Sequence, residues 1–453
     1  MSAAGALSLS TMIKKAKMIS GSVFRSVEKV AGGLRRTRVG SNEPARQSQQ
    51  GCVIGSVFSC WVALCLFVAT PATVQADKVD DVVAAQIQEH EIPGLSLAII
   101  QDGKIIKAQG YGFTDKSGKT PVTTSTLFQA GSVSKSVAAL GALRLVEQNR
   151  LSLDADVNTK LQTWKVPENE FTKEKKVTLR GILSHSAGLT VHGFPGYAVG
   201  KPVPTLVQVL NGEAPANTSA IRADIIPGSK LRYSGGGYTV MQQMIIDVTG
   251  KPFPQFMQEA VLKPLGMTNS TYEQPLSEEL VATTASGYYP KGKAVKGRWH
   301  IYPEMAAAGL WTTASDLARF AISIQHSVAG ESKSVISQLM TRQMLTSQKD
   351  NDGLGVFLSG DGRGLRFSHG GRDEGFDATM TAFAETGQGA VIMINANNNS
   401  GSVNRIVEAI AQEYHWPDRD LSPKHTITGP VRKVRNNALA GRSCHQQPSI
   451  CRF

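Results

Sequence analysis

Apolar and polar positions change period several times along residues 77–417, and each change marks an element. A helical pattern near Val79–His90 stops at Ile92-Pro93-Gly94. Leu95–Ile100 and Lys104–Tyr111 then flank Asp102-Gly103, a two-residue hairpin turn. Val133, Val137, Leu140 and Leu143 recur at spacings of three and four, which predicts a helix over 133–148. From about Asp154 to Leu345 the chain is mixed, with helical patterns at Tyr238–Val248, Pro254–Leu262 and Ala314–Ile324. Strand signals return at Leu365–Ser368, Ala378–Phe383 and Ala390–Ile394, and Val403–Tyr414 closes as an amphipathic helix. Two strands early and three late, each group beside a helix, predict an α+β fold. One antiparallel sheet is built from both chain ends and flanked by helices, with a mostly helical lobe inserted between them.

The two ends differ from this body. Residues 1–52 are basic, rich in Ser and Gly and poor in acids, and read as disordered. An apolar run from Val53 to Thr70 follows, then Pro71-Ala72-Thr73-Val74-Gln75-Ala76. Basic flank, apolar run and a small-residue Val-x-Ala site describe a secretory signal cut before Asp77, hence an exported, periplasmic or extracellular protein. The run is nearly long enough to span a bilayer, so membrane attachment through residues 53–70 stays open. So does an organellar transit peptide. Residues 418–453 lack an apolar period and read as a basic, disordered tail.

Charge divides the same way. The formal net charge is +12, with nine Lys/Arg against two Asp/Glu in residues 1–76 and seven against two in 418–453. Residues 77–417 are therefore neutral overall, and the body carries no basic groove for nucleic acid. All five cysteines lie at the ends: Cys52, Cys60 and Cys65 in the leader, Cys444 and Cys451 in the tail. The body has no thiol nucleophile, Cys-ligated metal or internal disulfide. Cys444 and Cys451 read equally as a small disulfide loop or as two free thiols.

Candidate chemistry starts at Gly131-Ser132-Val133-Ser134-Lys135. At the start of a helix, Ser132 and Lys135 lie one turn apart on one face. Free backbone N–H groups and the positive dipole end favour negative charge developing there. An amine kept neutral by burial can take the hydroxyl proton. The four-letter pattern is weak alone, since Ser26-Val27-Glu28-Lys29 repeats it and an N-cap serine with a solvated lysine is its ordinary meaning. Arg232-Tyr233-Ser234-Gly235-Gly236-Gly237 sets a tyrosine before a glycine-rich helix start; beside an ammonium its phenol would ionise more easily and relay protons. Arg366-Phe367-Ser368-His369-Gly370-Gly371-Arg372 reads as a strand end, where two glycines let a substrate lie against backbone donors. The plain alternative is a strand-end turn with an exposed histidine. Leu183-Ser184-His185-Ser186-Ala187-Gly188-Leu189 offers His185, better read as a packed histidine beside a capping serine.

Ser132-x-x-Lys135, Tyr233 and His369-Gly370-Gly371, in this order, resemble the penicillin-recognising serine hydrolases: the class C β-lactamases, D-alanyl-D-alanine carboxypeptidases and family VIII carboxylesterases. Pro264-Leu265-Gly266-Met267 and Ala308-Gly309-Leu310-Trp311-Thr312-Thr313-Ala314-Ser315-Asp316-Leu317 extend the likeness over roughly 79–415. The resemblance implies a class C β-lactamase-like fold and an acyl-enzyme on Ser132, with Lys135 and Tyr233 sharing its proton. His369 would stand where that family has the lysine of Lys-Thr-Gly, and the N–H groups of Ser132 and Arg372 would form the oxyanion hole. No cofactor or metal is implied.

Two departures bear on substrate. The family's Tyr-x-Asn is Tyr233-Ser234-Gly235 here, which removes an amide that would hold an acylamide side chain. His369, largely neutral near pH 7, replaces a permanent cation. Both favour carboxylic esters over β-lactams or cell-wall D-amino-acid peptides, which remain alternatives, as does a slowly deacylating penicillin sensor. The lipase motif Gly-x-Ser-x-Gly is absent, so esterase activity would have to use Ser132.

Overall fold

The computed structural model describes residues 77–331, 335–397 and 399–417. The leader, the apolar run 53–70, Ser26–Lys29 and the tail lie outside them. Among the described residues no helix is long and apolar enough to cross a membrane.

Helix α1 (Lys78–Glu89) starts on Asp77, which shares a capping box with Asp80. Strands β1 (Gly94–Gln101) and β2 (Lys104–Gly112) form the hairpin read from Asp102-Gly103. Late in the chain come β3 (Phe357–Ser359), β4 (Arg366–Asp373), β5 (Phe376–Phe383) and β6 (Gly389–Ile394). The six strands form one sheet in the order β2-β1-β6-β5-β4-β3, every neighbouring pair antiparallel. First and last segments meet at its centre, where Leu97 faces Ile392 and Ala98 faces Val391.

Both sheet faces are covered, which is why β1 is apolar almost throughout. Leu95, Leu97 and Ile99 point to one side and pack with Val79 and Val83 of α1 and with Ile406 and Ile410 of the closing helix α7 (Ser400–Glu413). Ala98 and Ile100 point to the other side and join the main core with Phe320 and Ile324 of α6 (Ala314–Ala329). The lobe between β2 and β3 holds α2 (Ser134–Glu147), α3 (Leu179–Leu183), α4 (Gly235–Thr249) and α5 (Met305–Ala308), with further short helices and two-residue strand pairs. The expected architecture is present.

One reading needs correction and one strand is new. The strand at Leu365–Ser368 does not stop before the histidine; β4 runs to Asp373, so His369–Arg372 lie inside the sheet and His369 is buried. The short edge strand Phe357–Ser359 had no expectation attached.

Candidate active site

Ser132 sits in a single 3-10 turn, Gly131–Val133, just ahead of α2. Gly131 turns the chain at φ +51°, a conformation that suits glycine. Ser134 pins the turn: its Oγ donates to the Gly131 carbonyl at 2.5 Å and accepts the Leu310 N–H at 3.0 Å. Tyr272 donates to the Ser134 carbonyl at 2.7 Å. Three hydrogen bonds on Ser134 thus hold the turn that carries Ser132.

Lys135 lies within the first turn of α2, 1% exposed, with Nζ 3.0 Å from Ser132 Oγ and donating to the Ala307 carbonyl of α5 at 2.7 Å. Burial pushes its pKa down to about 7, with the charge of Asp373 working the other way. A neutral amine can keep one N–H on Ala307 and aim its lone pair at the Ser132 proton. The same Nζ stands 5.0 Å from the ring centre of Tyr233.

Tyr233 ends the loop before α4. Ser234 caps that helix by accepting the Gly237 N–H at 2.9 Å, and its own hydroxyl donates to the Thr190 carbonyl at 2.8 Å. The phenol differs from expectation. Burial raises its pKa, and Ser132, the neighbour that favours the ionised form, makes too loose a contact to complete a hydrogen bond. Desolvation outweighs any help from a cation. The phenol therefore stays protonated, and Lys135 is the stronger candidate base.

His185 is a packed histidine, as read, but it packs on the site. Its ring lies 4.1 Å from that of Tyr233, and its Nδ1 accepts the Ser234 N–H at 3.1 Å. That bond puts the ring proton on Nε2. His185 holds a left-handed backbone, φ +51°, the kind of local strain that well-packed surroundings maintain. Burial keeps its pKa well below the usual range, so it is neutral.

Strand β4 passes directly against the nucleophile turn. A Cβ on Gly371 would stand 1.9 Å from the Ala130 carbonyl oxygen and 3.0 Å from the Ser132 nitrogen. A Cβ on Gly131 would stand 2.4 Å from the Arg372 nitrogen. This close approach brings the backbone nitrogens of Ser132 and Arg372 to the same strand–turn contact, where the resemblance expects an oxyanion hole. Gly370 alternates to the opposite side, where a Cβ would meet nothing nearer than 4.0 Å. The Arg372 side chain points elsewhere, held by Asp377 at 2.6 and 2.9 Å and by Ser400 at 2.6 Å. His369 bonds its Nδ1–H to the Gly370 carbonyl at 2.6 Å, leaving Nε2 as an acceptor. Burial, with Lys135 adding to it, holds its pKa near about 3. No permanent cation stands at this position.

Several groups around the site gave no sequence signal. His192 lies with its ring 4.8 Å from that of Tyr233. Phe357 packs 5.0 Å from His369. Phe194 occupies the space over Gly235, where a Cβ would touch its ring at 3.0 Å. Asp373 and Glu304 are buried carboxyls whose oxygens lack a hydrogen-bond partner in the protein. Burial raises both, Glu304 to about 8, so Glu304 carries a proton at neutral pH. Among the described residues, no group of three or more His, Cys, Asp or Glu side chains is placed to hold a metal ion.

The Beta-lactamase family model matches residues 79–414. Protein flp of Staphylococcus aureus (strain N315) is 25% identical over 341 residues, covering 73% of this chain and 65% of flp. The chain thus spans somewhat less than two thirds of such curated relatives. A beta-lactamase of Lysobacter lactamgenus is 31% identical over 261 residues, 56% of this chain and 61% of that enzyme. Among solved structures, the octameric penicillin-binding protein homologue from Pyrococcus abyssi gives a TM-score of 0.62 at 23% identity, over 75% of this chain and 77% of that one. EstCE1, a hydrolase with promiscuous acyltransferase activity, gives 0.59 at 21% identity, over 73% and 97%. At such identities these structural likenesses speak for the fold.

Proposed function

Because the chain belongs to the Beta-lactamase family of serine hydrolases, we propose that it hydrolyses carboxylic esters through an acyl-enzyme on Ser132. The observation that carries this reading is the buried Lys135 amine, 3.0 Å from Ser132 Oγ with its pKa brought down to about 7. In the proposed cycle Lys135 takes the Ser132 proton as Oγ attacks the ester carbonyl. The N–H groups of Ser132 and Arg372 receive the oxyanion. As the tetrahedral intermediate collapses, the C–O bond to the alcohol breaks and the proton passes to the leaving oxygen, with Tyr233 as the neighbouring O–H in its path. Water then attacks the acyl-enzyme and gives a proton to the Lys135/Tyr233 pair; as the second intermediate collapses, the bond to Oγ breaks, that proton returns to Ser132 Oγ, and the acid leaves.

Esters are favoured over β-lactams and peptides by what surrounds Gly235. An asparagine there would press tightly on Phe194 and on the His192 carbonyl, 3.0 and 3.1 Å from the Cβ position. The acyl side therefore meets an aromatic ring where the β-lactamases offer an amide. His369, neutral and engaged with its own strand, also supplies no cation for a substrate carboxylate. Full-length protein and Ser132→Ala are assayed with p-nitrophenyl butyrate and a chromogenic cephalosporin over many turnovers. Ester turnover lost in Ser132→Ala, with cephalosporin turnover at least tenfold slower, is expected. Faster cephalosporin hydrolysis would make it a β-lactamase, and a single stoichiometric burst a sensor. Undiminished ester turnover in Ser132→Ala would refute the mechanism.

A further inference from the structure

A second cavity lies in the inserted lobe, about 390 Å³, within the size range of small-ligand sites. Four cations line it, Lys175, Lys176, Arg180 and Lys349, together with the hydroxyls of Ser184 and Ser186, and no carboxylate lies among the lining residues. Two of these cations are already paired: Lys176 with Glu168 at 2.6 Å, and Arg180 with Asp154 at 2.6 and 2.8 Å. Arg180 is further fixed by Gln348 at 2.7 Å, so it contributes an immobile charge. Lys175 and Lys349 have no ion pair among the described residues and supply two uncompensated point charges. Ser184 and Ser186 are nearly fully buried. Ser184 Oγ donates to the Arg180 carbonyl at 2.8 Å, so in their 3.0 Å contact the Ser186 hydroxyl is the donor. Turning that hydroxyl toward a guest would break only its bond to Ser184 and leave the Ser184–Arg180 bond intact.

We propose that this cavity binds a phosphate group, as the free ion or as a small phosphomonoester. Lysine ammoniums and serine hydroxyls are the donors a tetrahedral dianion uses, and with Glu168 and Asp154 each offset by the cation it pairs, Lys175 and Lys349 leave the cavity net positive. The cavity exceeds what a bare ion needs, which leaves space for an esterified group. Its place in the fold gives binding a consequence. Ser184 and Ser186 flank His185, whose ring supports Tyr233, and the Ser186 and His185 carbonyls accept the N–H groups of Gly228 and Arg232 at 2.7 Å. A phosphate on Ser186 would brace the segment on which Tyr233 rests.

Calorimetric titration of the full-length protein at low ionic strength tests this, using inorganic phosphate and glycerol 3-phosphate as separate probes and sodium chloride at matched ionic strength as the control. One saturable site is expected for phosphate, weakened at least tenfold in Lys175→Gln/Lys349→Gln, together with a phosphate-dependent rise in Tm that the double variant lacks. Both substitutions fall outside the core, and an unchanged Tm without phosphate verifies that the variant folds. Tighter binding of glycerol 3-phosphate would identify a phosphomonoester as the guest; binding of phosphate alone would identify the free ion. No saturable heat from either probe, equal binding by the double variant, or the same Tm rise with chloride would overturn the proposal.

Discussion

Gly371→Ala is the most informative single change in this site. The added methyl would be placed 1.9 Å from the Ala130 carbonyl oxygen, a backbone atom that cannot rotate away. An ordinary contact requires the strand and the nucleophile turn to separate by more than about 1 Å, and a shift of that size costs on the order of 10²-fold in rate. The atoms forced apart are those flanking the Ser132 and Arg372 N–H groups, and loss of one oxyanion donor costs about 10²–10³ in kcat. The expected result is a 10²–10³-fold fall in kcat for p-nitrophenyl butyrate with KM little changed. The same overpacking lowers stability by about 1–3 kcal/mol, visible as a reduced Tm. Gly370→Ala is the matched comparison, since its Cβ points into open space and alanine keeps the backbone donors. It should lose far less activity. Equal losses in the two variants, or a Gly371→Ala enzyme within about fivefold of wild type, would refute the placement of the oxyanion site.

Three further outcomes follow from the buried titrating groups. With Lys135 titrating at about 7, ester kcat/KM should fall about tenfold per pH unit below that value and level off above it; a pH-independent rate from 5 to 8 would remove Lys135 as the base. Glu304 has its pKa raised by burial to about 8, so its contribution to stability is complete below the unfolded value near 4.5 and is lost as pH rises through 8. Glu304→Gln should therefore leave Tm little changed at pH 5 and raise it at pH 9, where the gain in stability is on the order of a few kcal/mol. His185→Phe keeps a ring beneath Tyr233 but leaves the buried Ser234 N–H without its 3.1 Å acceptor; about 1–3 kcal/mol of stability and roughly tenfold in kcat should go, read by thermal melting and steady-state kinetics.

The parts of this fold that were legible in the sequence are those where one period runs unbroken. The β1–β2 hairpin and helices α1, α2, α6 and α7 announce themselves through apolar spacing, and their bounds fall within a few residues of expectation. The His369–Arg372 stretch escaped because its strand character lies in pairing rather than in composition. His369 faces Met380, Gly371 faces Ala378 and Arg372 faces Asp377, yet two glycines and a histidine break any apolar alternation. Glycine in that strand marks the close passage of the nucleophile turn, a contact between residues about 240 positions apart that no local pattern encodes. Ser132, Lys135 and Tyr233 were found through their order and spacing, and the fold gathers them. Their relative basicity was not legible. It depends on how deeply each side chain is buried: burial lowers the amine, as its role as base requires, and raises the phenol, against the expectation that a neighbouring ammonium would lower it. His192 and Phe194 share one loop and Phe357 opens the edge strand β3, so only the fold brings them together and they gave no signal.

The central claim is covalent chemistry at Ser132, and trapping the intermediate tests it most directly. Full-length protein mixed with excess p-nitrophenyl butyrate, quenched in acid within one turnover and digested, should yield a butyryl mass on the peptide holding Ser132. Ser132→Ala treated identically should carry none. Hydrolysis that proceeds with no acyl mass in the wild type, or with the acyl group on another residue, would contradict the account.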